Sequence, residues 1–400
     1  MALSALHSVC SRKALNDAWE YIKNNSTPRS RDTVGVDGVS ISSFERDKHA
    51  QLALMSRELG SGAYRFHSLK PYFIPKANKG YRLISVPAVR DRIVQRALVD
   101  FLSRKYHEKL ANEISYGFVK SRTVKEAALR ACKLRDVNPW VFKTDITSFF
   151  DRVDRSLLAQ RVRTIVRESS LHDLLISAIS CEVDDSVRSA NTRIKKMGIH
   201  KGRGIRQGMP LSPLFSNFLL LEFDRELLSK RVSAVRYADD LIFFSRSRKG
   251  CLDIFNYCRD ELGKMNLSIP DILGDSKSVI YAPNEPVEFL GLELTAVSAR
   301  QPVMLRLSDA QMEAIRDELL KLASIPELVS RKITLKNFGQ QLFAKQEGYL
   351  GAYEACSNYS DLQALLSKLE DEVLRRVYKN ELGIDLAKLT AAARAFLGLR

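Results

Sequence analysis

The sequence has no run of 18 apolar residues, so no membrane-spanning helix and no membrane partner are expected. Its start, Met1 to Lys13, has neither a leading charge cluster nor a long apolar segment, and no secretory signal is expected there. The six cysteines (Cys10, Cys132, Cys181, Cys251, Cys258 and Cys356) are scattered, with no Cys-x-x-Cys pair. That argues against a zinc site and suits a reducing cytoplasm, the expected location. The six histidines show no ligand spacing. No internal repeat and no low-complexity segment is found. Acidic residues are in deficit, 47 against 63 Lys and Arg, for a formal net charge of +16 and a pI near 9.5. A basic surface of that size suits a polyanion such as nucleic acid and steers its approach. The 400 residues, 45% of them hydrophobic, are enough for a large core and two or three subdomains.

Against that background one tetrapeptide stands out, Tyr237-Ala238-Asp239-Asp240. Ala234 to Tyr237 and Leu241 to Phe244 read as short strands, which puts the two acids in a tight hairpin turn. A lone aspartate, Asp145, ends another strand-like stretch, Trp140 to Thr144. Carboxylates gathered at strand ends repel one another and need a compensating charge. Hard Mg²⁺ supplies it, keeping positions for water and phosphate oxygens. Two such ions can stabilise the attacking and leaving oxygens of an in-line phosphoryl displacement. A second pair, Asp184-Asp185, has no such setting and reads as a solvated loop.

Along the chain, Ala14 to Lys23 reads as a helix, followed by a polar stretch, Asn24 to Pro28. Gly35-Val36-Asp37-Gly38 marks a turn. Ser42 to Leu59 and Asp91 to Leu110 look helical. Pro71 to Lys76 and Tyr81 to Pro87, joined through Ala77-Asn78-Lys79-Gly80, predict a β-hairpin. Residues 155–203 read as mostly helix plus a basic loop with Arg193, Lys195, Lys196, Lys201 and Arg203. Pro210 to Leu228 reads as a helix. After about residue 300 the pattern turns helical throughout. Ser308 and Gln311, and again Ser360 and Gln363, have capping-box spacing. Met312, Ile315, Leu319 and Leu322 form one apolar stripe, and Leu362, Leu365, Leu366, Leu369 and Val373 another.

Taken together, these segments resemble those of bacterial reverse transcriptases of the group II intron-like kind. The matching pieces run in the family's order: Gly35 to Gly38, the Ile74-Pro75-Lys76 to Pro87 hairpin, Asp91 to Gln95, Tyr116-Gly117-Phe118, Asp145 to Asp151, Gln207 to Pro213, Tyr237 to Asp240, Lys277, and Phe289-Leu290-Gly291. The resemblance implies an α+β right-hand polymerase. Residues 1–300 would form interleaved fingers and palm, and 301–400 an all-helical thumb that includes Gly348 to Tyr353.

The resemblance also carries roles. Asp145, Asp239 and Asp240 would be catalytic and hold two Mg²⁺ ions, with Mn²⁺ as a substitute. Lys277 would stand near the leaving pyrophosphate, where a lysine can act as general acid. Lys76 and Arg82 would grip the triphosphate, the arginine bidentately and the lysine as a point charge. Phe150 would be a steric gate against the ribose 2′-hydroxyl, with Phe149 in the core. Gln207 and Gly208 would lie beside the incoming nucleotide, Gly208 admitting close backbone approach. The family usually has proline before this glutamine, whereas this chain has Arg206, a cation that can alter the loop or add a phosphate contact. Arg90, Arg92, Lys120 and Arg122 would contact nucleic-acid phosphates. Tyr237 would pack near the primer end, and Ala238 would leave room for its sugar.

The implied reaction is RNA-directed DNA synthesis from deoxynucleoside triphosphates, with an RNA template, a DNA product, and a protein partner or homo-oligomer left open. Little chain follows the thumb, and no Val-Thr-Gly segment of the retron kind is found. The subtype expected is therefore a solitary anti-phage defence enzyme copying a dedicated non-coding RNA. Retron-type and intron-type enzymes, and a template-independent, protein-primed nucleotidyl transferase, stay open as alternatives, as does a non-catalytic RNA-binding scaffold.

Overall fold

A computed structural model describes residues 4–76 and 80–397. The chain divides into two compact units, Met1–Thr123 with Phe142–Ile280, and Val124–Val141 with Tyr281–Arg400. The α+β content expected from the sequence is present as nine strands among the described residues, with helices throughout. No helix among them is long and apolar enough to cross a membrane. All six cysteines are buried and unpaired.

In the first unit, β1 (Lys70–Pro75) and β2 (Tyr81–Val86) form the expected antiparallel hairpin, with Ile74 opposite Arg82 and Pro75 opposite Tyr81. It closes with the Lys76 N–H on the Gly80 carbonyl at 3.0 Å. The predicted turn residues Ala77, Asn78 and Lys79 lie outside the described residues. The central sheet has the order β4-β5-β3-β6, built from β3 (Trp140–Asp145), β4 (Ser233–Tyr237), β5 (Asp240–Ser245) and β6 (Val279–Tyr281). Phe142 of β3 stacks on Phe243 of β5 at 5.6 Å, and Phe255 of the helix Arg248–Gly263 meets Phe142 edge-on at 5.8 Å. Fully burying such a ring is worth about 2–3 kcal/mol, so these contacts tie sheet and helix together.

The helix Ser212–Ser229 buries twelve of its 18 residues, which marks an interior helix. It buries three polar side chains with consequences below: Ser212, Asn217 and Asp224. Three sequence readings need correction. Ser42 to Leu59 is two helices, Ile41–Arg46 and Lys48–Gly60, because Asp47 breaks the run. Arg193, Lys195 and Lys196 are on a helix, Arg188–Lys196, rather than in a loop. Asp91 to Leu110 likewise divides, into Val89–Lys105 and His107–Leu110.

In the second unit, β7 (Val287–Phe289), β8 (Leu292–Leu294) and β9 (Leu305–Arg306) form an antiparallel sheet in that order. The helix Val124–Val137 packs within this unit. Its fully buried Arg135 explains why: the guanidinium donates to the carbonyls of Leu294 at 3.1 Å, Ala282 at 3.3 Å and Glu285. The packing boundary therefore falls at Ile280 and Tyr281, while the sequence changes character near 300.

The two apolar stripes are buried at Ile315, Leu319, Leu322, Leu362, Leu366, Leu369 and Val373. Ser308 caps its helix by accepting from the Gln311 N–H at 3.2 Å. Ser360 does not act as a cap. That helix starts at Tyr359, and Asn358 before it exchanges two 3.0 Å hydrogen bonds with the Leu307 backbone.

Candidate active site

The β4–β5 register pairs Tyr237 with Asp240, leaving Ala238 and Asp239 as a two-residue turn. Ala238 has φ 58°, in the left-handed region that costs an L residue roughly 1–2 kcal/mol. Something must hold it there, and the sequence motifs did not reveal what. Arg236, 1% exposed, donates to the Ala238 carbonyl at 3.1 Å. The same guanidinium grips the carboxylate of Asp224, itself fully buried, with two bonds of 2.7 and 2.5 Å. It also reaches Asn217 Oδ1 at 3.1 Å and Ser115 Oγ at 2.8 Å. Asn217 in turn donates to the Gly117 carbonyl at 2.9 Å, and Asn112 donates to Asp224 at 3.1 Å. The turn thus rests on a buried polar network. One sign of it was legible: an arginine at an inward strand position needs a buried acid.

Gly117 lies against the back of this turn. A Cβ there would be 2.3 Å from the Ala238 nitrogen and 2.9 Å from the Tyr237 carbonyl carbon, both backbone atoms. Gly117→Ala is therefore expected to displace the turn and lower kcat by about 100-fold, the usual result of moving reacting groups by about an ångström. Steady-state incorporation beside a thermal melt checks this; the melting temperature should fall far less than kcat. Tyr237 is partly buried, with Phe118 at 6.3 Å from its ring, and Phe118 is itself 49% exposed.

The end of β3 reaches this turn through the Ile146 N–H on the Asp239 carbonyl at 3.1 Å. Asp145 is thereby brought near Asp239 and Asp240, which lie more than 90 residues further along the chain. Burial first, and then the neighbouring Asp240 and Asp145 carboxylates, push Asp239 above the usual carboxylate range, with Lys277 opposing. Lys277 forms an ion pair with Asp145, and that bond raises its own pKa. Ser278 beside it hydrogen-bonds Thr144 at 2.7 Å, fixing the Lys277 loop to β3. Among the described residues no three His, Cys, Asp or Glu side chains stand close enough to hold a metal ion as they are. The three aspartates are thus near one another without forming a finished chelate, and the Lys277 ammonium pairs with Asp145. In chemistry they still fit a hard divalent cation: carboxylate oxygens, mutually repelling, with exposed Asp240 at the mouth.

Phe149 is buried and Phe150 half-buried, their rings edge to face at 5.4 Å. The Phe150 carbonyl accepts the Ile205 N–H at 2.8 Å, which lays the loop 204–208 along it. The Gln207 carbonyl accepts the Ser85 N–H of β2 at 2.7 Å. A Cβ on Gly208, at φ 109°, would be 2.6 Å from the Ser85 carbonyl, so this glycine is required. The loop therefore joins Phe150 to the β1–β2 hairpin. Lys76 and Arg82 are exposed on that hairpin.

Arg206 points inward. It is 3% exposed and donates to Glu182 and to the His200 carbonyl, both at 2.8 Å. Ser212 Oγ bonds its carbonyl at 2.7 Å. Burial alone would raise Glu182, but the Gly202 N–H, Arg155 and Arg206 outweigh it and hold its pKa down. Arg206 thus shapes the loop from inside, and the phosphate contact is not available to it.

Of the four cations assigned to nucleic acid, three are turned to internal work. Arg90 pairs with Glu58 and lies over the Tyr64 ring at 5.1 Å. Arg92 donates to the Pro87 carbonyl at 2.9 Å, and burial lowers its pKa. Arg122 donates to the carbonyls of Ala111 at 2.9 Å, Ser115 at 2.7 Å and Asn112, bracing the segment under the turn. Lys120 is exposed. Arg92 and Arg122 cap carbonyls that loop backbone leaves unpaired, and Arg90 is held by a carboxylate and a ring. The second acidic pair, Asp184-Asp185, is in a loop, Asp184 accepting from Ser186 and Asp185 pairing with Lys201 at 2.8 Å.

A family model described as reverse transcriptase (RNA-dependent DNA polymerase) matches residues 74–294. Protein YkfC of Escherichia coli strain K12 is 28% identical over 334 residues, 73% of this chain and 84% of YkfC. The retron Ec83 reverse transcriptase of Escherichia coli is 27% identical over 184 residues, 45% of this chain and 53% of that protein. The group II intron-encoded protein LtrA of Lactococcus lactis subsp. cremoris is 22% identical over 228 residues, 56% of this chain and 35% of LtrA. The matched region spans most of YkfC but only about a third to a half of the other two.

Proposed function

The chain belongs to the reverse transcriptase family, and on that premise we propose that it is an RNA-directed DNA polymerase acting through Asp145, Asp239 and Asp240. The observation that supports this most directly is the hydrogen bond from Ile146 to the Asp239 carbonyl, which joins the β3 acid to the hairpin acids. A primer 3′-hydroxyl loses its proton to water and attacks the α-phosphate of a deoxynucleoside triphosphate; the new phosphodiester forms, the α–β bond breaks, and pyrophosphate leaves. Magnesium, held by Asp145, Asp239 and Asp240, with manganese as a substitute, would supply charge neutralisation at the reacting phosphate.

The chain's own residues do the rest. Arg82 and Lys76 grip the triphosphate from the hairpin, one by a fork and the other as a point charge. Gln207 and Gly208 line the nucleotide, and the bond to Ser85 keeps their loop with that hairpin. Lys277, whose ammonium lies against Asp145, would donate a proton to the departing pyrophosphate. Tyr237 and Ala238 meet the primer end, and Lys120 a phosphate of the bound strand. Residues 1–300 serve as fingers and palm and 301–400 as thumb.

Phe150 serves as the sugar gate. Phe150→Ala is expected to admit ribonucleotides, with discrimination against them falling by roughly tenfold to a hundredfold, the worth of a steric contact of this kind. Competition between ribo- and deoxynucleotides measures it, and unaltered discrimination would move the gate elsewhere.

The test of the reaction itself is to supply defined RNA templates and sequence the DNA made. Template-matched product supports the proposal; product of unrelated sequence, made equally well without RNA, favours template-independent transfer. The finer proposal is a defence enzyme copying a dedicated non-coding RNA. It rests on an analogy, the lack of a Val-Thr-Gly segment of the retron kind, and sequencing the RNA and DNA that copurify with the chain tests it. An intron RNA there would point to mobility instead.

A further inference from the structure

Between Arg188 and Gly204 the chain has six basic residues (Arg188, Arg193, Lys195, Lys196, Lys201 and Arg203) and no Asp or Glu. The helix Arg188–Lys196 buries one side chain, Ile194. With Ile199, it joins Leu83 and Val183, and Phe73 and Met197 pack against them. That apolar anchor fixes the roll of the helix, so Arg188, Arg193, Lys195 and Lys196 are all exposed. The nearby acids are engaged elsewhere: Glu182 with Arg155 and Arg206, Asp184 with Ser186, and Asp185 with Lys201. Among the described residues Arg188, Lys195 and Lys196 have no carboxylate within 4.0 Å. Like charges crowded on one short helix oppose folding, and a bound polyanion relieves them.

The same wall carries a ring. Arg193 lies over Phe73 at 4.8 Å and over Tyr81 at 4.6 Å, and Tyr81 is still 40% exposed. Strand alternation puts Tyr81 and Leu83 on the hairpin face that meets this helix, and Arg82 on the other. The basic wall is therefore separate from the residues that grip the nucleotide.

We propose that the helix Arg188–Lys196 and the Tyr81 face of the hairpin bind single-stranded RNA, the strand being copied, with phosphates on Arg188, Lys195 and Lys196 and a base against Tyr81. Cations beside an exposed ring form the usual platform for unpaired strands, since a base in a duplex has no free face to stack. The proposal rests on the polymerase reading for the identity of the strand.

The test is the combined variant Arg188→Gln, Lys195→Gln, Lys196→Gln, titrated with a single-stranded RNA oligonucleotide across a salt series. Three lost phosphate contacts should flatten the log–log salt slope by about 2 and weaken binding on the order of tenfold to a hundredfold near 0.1 M salt. The KM for deoxynucleotide at saturating template should not change, and the melting temperature should hold or rise. Tyr81→Ala should weaken RNA binding further without changing the slope. An unchanged slope would overturn the proposal. So would an equal loss in a control variant neutralising Arg225, Lys230 and Lys264, or an effect confined to duplex. The Asp239→Ala protein should keep the full slope, so failure of the polymerase reading and failure of this surface give different results.

Discussion

Replacing Asp239 by alanine should lower deoxynucleotide incorporation by about three orders of magnitude or more, the equivalent of at least ~4 kcal/mol of transition-state stabilisation. RNA binding should persist, because the cations of the basic helix are untouched. The same substitution should leave the melting temperature unchanged or raise it. Asp239 is pushed above the usual carboxylate range by burial and by its neighbours Asp240 and Asp145, so its ionised form is costly to hold in the folded protein. The sign is clear: a carboxyl with a raised folded-state pKa subtracts stability above its unfolded pKa and subtracts less as the pH falls. Magnesium should raise the melting temperature of the parent chain and raise that of the variant much less, since a ligand of the native state stabilises by mass action. Incorporation in Asp239→Ala at the parent rate would end the catalytic assignment. An equal magnesium effect in both proteins would remove Asp239 from the ion's ligands.

Arg236→Met should destabilise the chain by about 3–5 kcal/mol, the cost of leaving a buried carboxylate without its partner. Whole domains are stable by only about 5–15 kcal/mol, so a large fraction of the protein should be unfolded or insoluble at moderate denaturant. Asp224 is fully buried, and Arg236 supplies two of its hydrogen bonds. The double variant Arg236→Met, Asp224→Leu should recover about half of the lost stability, because two apolar side chains replace the ion pair. Its activity should stay low, since the Ala238 carbonyl has then lost the donor that holds the left-handed turn. Denaturant melts and single-turnover incorporation measure the two quantities separately. A cost under about 1 kcal/mol for Arg236→Met would mean that the pair carries little of the fold, as exposed pairs do. Full activity in the double variant would mean that the turn holds its shape without Arg236.

How much of this was legible beforehand varied with the range of the interactions involved. The β1–β2 and β4–β5 hairpins were readable because their turns and alternating strands are local signals, decided within a dozen residues. Asp145 at the end of β3 and Asp239-Asp240 at the β4–β5 turn follow from the same local signals. The arginines misled. Arg90, Arg92 and Arg122 have the composition of a phosphate-binding set, yet their guanidiniums are committed to Glu58, Pro87 and the carbonyls of 111–115. A sequence gives the charge of a side chain but not the direction it points. Arg206 taught the same lesson, turning from the nucleotide loop into the Glu182 cluster.

By itself the sequence showed an excess of positive charge that suits a polyanion, and it placed the hairpins through periodicity and turn chemistry. These follow from local backbone preference and from total charge, neither of which depends on distant contacts. Only the tertiary structure decided which cations face outward, that Lys277 pairs with Asp145, and that Arg236, Asp224, Asn217 and Gly117 together hold the Ala238-Asp239 turn. Those outcomes depend on residues from 12 to 132 positions apart competing for the same few hydrogen bonds, and burial settles that competition by penalising whichever polar group is left without a partner.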